Sequence, residues 1–151
     1  IARAVDRDVV LRIGNEKRNA QQIGILWTSR RGIGTVLHAL KQSGIPAAAV
    51  YPNHADAFDL SAPCVKVMTV HSAKGYEFDV VFLLGMEYLR DLDGTDRAEH
   101  EGRTGYVGAT RAKDQLVLTY SRENSYLDRI RSLPHDLVRG WVWPDDYPEV
   151  T

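Results

Sequence analysis

The sequence predicts an open, mostly parallel α/β sheet with helices on both faces. Three observations lead there. Short, fully apolar runs such as Val80 to Leu84 suit strands buried on both faces. A helix-spaced segment lies between two such runs, within Ile23 to Val50. Hydroxyl, charged and glycine residues gather where these runs end, the place where open α/β sheets hold their ligand chemistry.

Val9 to Ile13 is a candidate early strand. Ile23 to Trp27 reads as a short buried strand, and Thr28 or Ser29 can cap the helix after it. Ile33, Val36, Leu37 and Leu40 then recur at helical spacing. Gly44 ends that helix and Pro46 blocks its continuation. Ala47 to Val50 is the next strand, so the unit is strand, helix, strand with a right-handed crossover. Tyr51 to Pro63 is a polar connector. Val65 to Val70 is a third strand, and Val80 to Leu84 a fourth, apolar enough to be central. A looser acidic segment runs from Glu87 to Glu101. Arg103 to Asp114 reads as a helix, Leu116 to Tyr120 as a fifth strand. Tyr126, Leu127, Ile130 and Leu133 suggest a last helix behind it. The tail from Gly140 looks irregular. This divides the chain into a lead-in at 1–22, one domain at 23–133 and a tail at 134–151 containing Trp141 and Trp143.

A chain of 151 residues suits one domain with a real core. No run of eighteen apolar residues exists, which excludes a membrane-spanning helix. No signal-like segment is present, and the start at Ile1 suggests a fragment or a trimmed chain. The single cysteine, Cys64, excludes an intrachain disulfide and fits a reducing cytoplasm. Nineteen basic against twenty acidic residues argue against a whole-surface nucleic-acid binder. They leave room for local tracks, at Arg30 and Arg31 and at Arg103, Arg111 and Lys113. The histidines show no zinc-ligand spacing. Asp91, Asp93 and Asp96 lack the pattern of a calcium loop and read as a solvated acidic stretch.

Two segments carry chemistry. The first is VMTVHSAKGYEFDVVFL, Val67 to Leu83. Thr69 and Ser72 can donate to phosphate oxygens. His71 can hydrogen-bond or stack on a base. Lys74 can meet a phosphate or an acid. Gly75 permits a tight turn and a close backbone approach, and Glu77 can accept from a ribose hydroxyl. On chemistry alone an ordinary strand-end turn explains the same residues. The second segment is YVGATRAKDQLVLTYS, Tyr106 to Ser121. Arg103, Val107 and Arg111 fall on one side of the expected helix. A guanidinium there can stabilise charge on a transferring phosphoryl group, or simply lie on a solvated basic face. Gly105 and Gly108 each cost a helix about 1 kcal/mol against alanine, a cost that wants a reason.

Both strings resemble motor motifs of the UvrD/Rep-like superfamily 1 helicases, the first motif V and the second motif VI. Ile23 to Val50 resembles the strand-helix-strand that opens the second motor domain of that family. The resemblance covers Ile23 to Leu133 and implies a RecA-like, P-loop-NTPase-like domain. It implies that Thr69, His71 and Ser72 face single-stranded DNA, and that Gly75 and Glu77 sit at the nucleotide. It implies that Arg111 reaches the terminal phosphate of ATP, with Lys74, Glu101, Arg103, Tyr106 and Thr110 in support. Arg30 and Arg31 either contact the nucleic-acid backbone or begin a solvated helix. Trp27 either stacks on a base or packs in the core. Tyr76 replaces the family's usual leucine, and Gly102, Thr104 and Gly105 replace bulkier or charged groups.

The sequence has no Walker A phosphate loop and no paired acidic strand end to hold magnesium. The resemblance therefore implies half a motor, whose ATP and Mg2+ are held by an N-terminal RecA-like domain of the same parent. The expected function is the C-terminal half of an ATP-dependent DNA helicase or translocase, inactive alone. The alternative is a catalytically inactive helicase-like module that binds nucleic acid or protein. The family's large accessory insertion is reduced here to Tyr51 to Pro63.

Overall fold

A computed structural model describes residues 18–51, 59, 61–89 and 96–138. Val9 to Ile13, Asp91, Asp93, Trp141 and Trp143 lie outside the described residues.

Five strands form one parallel sheet: β1 (Ile23–Trp27), β2 (Ala47–Val50), β3 (Val65–Thr69), β4 (Phe78–Leu84) and β5 (Ala112–Leu118), in the order β2-β3-β1-β4-β5. β1 is the central strand and β4 lies between it and β5. Every residue of β3 is buried, including Lys66, whose Nζ donates to the carbonyls of Ala62 and Cys64.

The helices are α1 (Ile33–Gln42), α2 (Asp96–Ala109) and α3 (Ser125–Arg131). The alternation of strand side chains splits the core in two. Ile25, Val67 and Phe82 pack with Ile33, Val36 and Leu40 of α1 on one face. Leu26, Met68, Val81 and Leu83 pack with Val107, Ala109 and Leu127 of α2 and α3 on the other. Helices thus cover both faces, as expected. α1 ends where the sequence places its stop: Gly44 takes φ 71°, and Ile45 N donates to the Leu40 carbonyl at 2.9 Å.

The second half needs a correction. The helix expected over Arg103 to Asp114 lies over Asp96–Ala109, and the strand expected from Leu116 begins at Ala112. β5 is an edge strand, so Lys113, Asp114 and Gln115 can face solvent and lack the apolar signature of a buried strand. A register irregularity opposite Phe78 and Val80 accommodates this polar start.

The glycines of α2 have a packing reason. A Cβ on Gly105 would stand 2.9 Å from Leu89 Cδ1, and one on Gly108 2.8 Å from Leu83 Cδ1. The helix rests on β4 at Gly108 and on the turn that follows β4 at Gly105.

Candidate functional site

The expected site residues divide between opposite edges of the sheet. Trp27, Thr69 and Leu84 share one level, at the carboxyl ends of three neighbouring strands. Phe78 and Ala112 share another, at the amino end of β4. The run from Phe78 to Leu84 separates the levels by about 20 Å at ~3.3 Å per residue.

At the carboxyl edge, Thr69 is only 6% exposed. Its Oγ1 lies 2.9 Å from Ser72 Oγ and accepts from Ser72 N at 3.2 Å. Ala73 N donates to the Thr69 carbonyl at 3.1 Å, closing a turn directly after β3. Val70 N donates to the Trp27 carbonyl at 3.0 Å and fastens that turn to β1. Arg30 and Arg31 stand exposed in the 3-10 turn Arg30–Gly32 that follows β1. His71 is exposed, and its ring stacks on that of His100 in α2, centroids 6.2 Å apart at 23°. Hydroxyls, an imidazole and two guanidinium groups therefore share one edge. Such donors suit phosphate oxygens and unpaired bases. Trp27 is half-buried and packs against the α1-side core, in line with its core reading.

At the amino edge, Phe78 N donates to the Arg111 carbonyl at 2.9 Å. This bond joins the first motif segment, at the residue after Glu77, to the second at Arg111. Arg111 lies beyond the end of α2, in the turn before β5, so it does not share a helical side with Arg103 as expected. The helix stops two residues earlier, and the Arg111 carbonyl instead accepts from β4. Arg111 Nε donates to the Val107 carbonyl and Nη2 to Thr110 Oγ1, both at 3.1 Å. Thr110 Oγ1 donates in turn to the Val107 carbonyl at 3.0 Å. The guanidinium is held by the helix end, with further N–H groups left over.

Gly75 is exposed at φ 89°, a backbone state that favours glycine, with nothing within 4 Å of a built Cβ. Lys74 and Glu77 flank it, also exposed. Gln22 donates to Asp79, and Arg18 pairs with Asp114 at 2.9 Å, so this edge carries charges of both signs.

Along α2 between the two edges, Arg103 faces Glu99 at 3.8 Å, both exposed. Glu101 is partly buried, and the Tyr106 ring is 72% exposed. Two residues escaped the sequence reading. His100 meets His71 only once α2 is placed from Asp96. Asn124 caps α3 by accepting from Leu127 N, and donates to the carbonyls of Met86 and Leu89. An Asn before a helix-spaced apolar pair was the available signal. Among the described residues no group of three or more His, Cys, Asp or Glu could hold a metal, and no helix is long and apolar enough to cross a membrane.

Residues 48–123 match the family described as UvrD-like helicase C-terminal domain. Over 81 residues the chain is 43% identical to DNA helicase II of Haemophilus influenzae, covering 50% of this chain and 11% of that protein. It is 50% identical over 62 residues to DNA helicase II of Escherichia coli K12, covering 38% of this chain and 9% of that protein. It is 38% identical over 90 residues to the ATP-dependent DNA helicase PcrA of Bacillus subtilis, covering 56% and 12%. The matched stretches thus span about a tenth of these relatives' lengths. A solved C-terminal domain of a possible DNA helicase from Lactobacillus strain WCFS1 superposes with a TM-score of 0.58 at 22% identity, covering 84% of this chain and 73% of that one, which establishes likeness of fold.

Proposed function

This chain belongs to the UvrD-like helicase C-terminal domain family, and from that premise we propose that it is the C-terminal half of an ATP-dependent DNA motor. The carboxyl edge of the sheet grips single-stranded DNA through Thr69, His71, Ser72, Arg30 and Arg31. The amino edge offers Arg111, Gly75 and Glu77 to ATP and Mg2+ held by an N-terminal RecA-like domain of the same parent.

One observation carries this reading. The segment from Thr69 to Phe78 leaves the sheet at one edge and rejoins it at the other, where Phe78 N bonds to the Arg111 carbonyl. A single stretch of backbone therefore links both groups of residues.

The residues of the amino edge suit a nucleotide. Arg111 is anchored through two of its nitrogens and keeps other N–H groups to donate. Gly75 lets the backbone come close, and the exposed Glu77 carboxylate can accept from a ribose hydroxyl. ATP, when bound, supplies the phosphoryl group whose hydrolysis releases free energy. Arg111 stabilises the charge that develops on that group in this reading. Glu77 orients the ribose end. Thr69 and Ser72 hold the turn that presents His71 to the strand. Closure on the partner domain favours one arrangement of this linked pair, and release favours the other.

The test is ATP hydrolysis by the intact parent with and without single-stranded DNA, for wild type and Arg111→Ala. The expected result is strong DNA stimulation that falls by about a thousandfold in the variant. No stimulation in the wild type overturns the motor reading and leaves a binding module. A loss below about tenfold keeps an ATPase but removes Arg111 from the chemistry.

A further inference from the structure

Thr69 and Ser72 hold each other in the turn after β3, whereas the His71 ring between them stands exposed. His100 is exposed as well. Among the described residues neither imidazole makes a hydrogen bond or ion pair, and each ring has the other as its partner.

The two rings come from elements that are fixed independently. His71 follows Val70, whose N–H is tied to the Trp27 carbonyl at 3.0 Å. His100 lies in α2, and its carbonyl accepts from Thr104 Oγ1 at 3.1 Å, one turn further on. Gly108 seats that helix against the same Val70, since a Cβ there would stand 3.1 Å from Val70 Cγ2. The residue before His71 is thus packed beneath the helix that carries His100. The spacing of the rings is set by these two packed elements.

Centroids 6.2 Å apart at 23° form an offset stack, within the range of about 4.5–7 Å where aromatic rings attract. Such a stack limits the swing of an exposed ring and leaves its nitrogens uncommitted. A carboxylate partner would also fix His71, but it would take an N–H and set a negative charge beside the phosphates of a strand. A ring has two faces, and His100 overlaps one of them. The other face and the ring N–H remain for the strand. Ordering a free side chain at the moment of binding costs affinity, and a side chain ordered beforehand avoids that cost.

We propose that His100 is a positioning residue for single-stranded DNA. It backs the His71 ring and presents it to the strand, and does not itself touch the strand. This rests on the reading of His71 as a DNA contact.

The test uses the full chain and a labelled oligothymidine, followed by fluorescence anisotropy at one fixed salt concentration. His100→Ala should weaken binding about twofold to tenfold, the contribution of one side chain ordered in advance. His100 is exposed, so this variant should unfold in urea as the wild type does. His100→Phe keeps a flat ring without the nitrogens and should restore binding to within about twofold of the wild type. In a His71→Ala background, His100→Ala should add no further loss. In the intact parent, His100→Ala should raise the DNA concentration needed for half-maximal ATP hydrolysis by the same factor and leave the maximal rate unchanged. Unchanged or tighter binding by His100→Ala, with His71→Ala weakened, would overturn the proposal and leave the DNA reading standing. An equal loss from His100→Ala with and without His71 would also overturn it, because His100 would then meet the strand itself. A His100→Phe variant as weak as His100→Ala would remove the stack as the cause. If the folded wild type binds no oligothymidine, the DNA-binding reading falls, and the proposal with it.

Discussion

Replacing Gly108 and Gly34 by alanine, one at a time, should move stability in opposite directions. Both glycines lie in helices, α2 and α1, and alanine is better than glycine in a helix by about 1 kcal/mol. Gly34 has nothing within 4 Å of a built Cβ, so Gly34→Ala should keep most of that gain. It sits near the first turn of α1, which makes the expected gain about 0.5–1 kcal/mol. At Gly108 the new methyl would stand 2.8 Å from Leu83 Cδ1, 3.1 Å from Val70 Cγ2 and 3.2 Å from Leu83 Cδ2. Leu83 and Val70 are buried and have no solvent to retreat into. Overpacking of that kind costs about 1–3 kcal/mol. Set against the helical gain, Gly108→Ala should lose about 1 kcal/mol net. The two variants should therefore differ by about 2 kcal/mol. Urea unfolding reads this as a shift of midpoint at constant slope. Heating reads it as a gap of about 4–8 °C for a chain of this size. Equal or greater stability of Gly108→Ala relative to Gly34→Ala would refute the argument. Leu83 would then yield freely, and the close seat of α2 on the sheet would not explain the glycine.

Two further outcomes are expected. Asn124→Ala removes the cap of α3, worth about 1 kcal/mol, and strips a donor from the Met86 and Leu89 carbonyls. The total loss in urea should reach about 2–4 kcal/mol. Asn124→Asp, harmless at most caps, should fare no better, because a carboxylate would face those two carbonyls; a tolerated aspartate would show that the amide donor is idle. Gly75→Ala meets no atom but forces alanine to φ 89°, so unfolding should show a loss of about 1–2 kcal/mol. In the intact parent the same change should depress ATP hydrolysis well beyond its effect on folding, and an unaltered rate would remove this turn from the nucleotide site.

The first half of the fold was legible because local and global signals agree there. β1, β2 and α1 fall where apolar runs, helical spacing and the Gly44 and Pro46 stop place them. β3 and β4 differ from their expected ends by one or two residues, since Thr69 and Phe78 sit where strand and turn chemistry overlap. The error over α2 and β5 has one cause. Ala112, Lys113 and Gln115 are good helix formers in isolation, and the ladder to β4 makes them a strand. That placement also moved Arg111 off the helix. The motif strings marked the candidate residues well. They could not reveal that Thr69 and Arg111 belong to opposite edges, because this depends on the strand order around β1. Nor could they reveal His100, whose interest lies in a neighbour distant in sequence.

The stretch from Thr69 to Phe78 has almost no spare length. It must cover about 20 Å along the strands and two strand spacings across β1, together a little over 20 Å. Fully drawn out it would reach about 30 Å. Hydrogen bonds from Ala73 N to the Thr69 carbonyl and from Tyr76 N to the Ala73 carbonyl take up most of that difference. It is a taut strap. Its residue count is consequently more constrained than its residue identities, and Tyr76 can vary where a deletion cannot. Removing one residue would have to melt a turn or drag β4 by a step, and that step would turn its buried side chains toward the wrong face. A pull on the turn at Thr69 has no slack to exhaust before it arrives at Glu77.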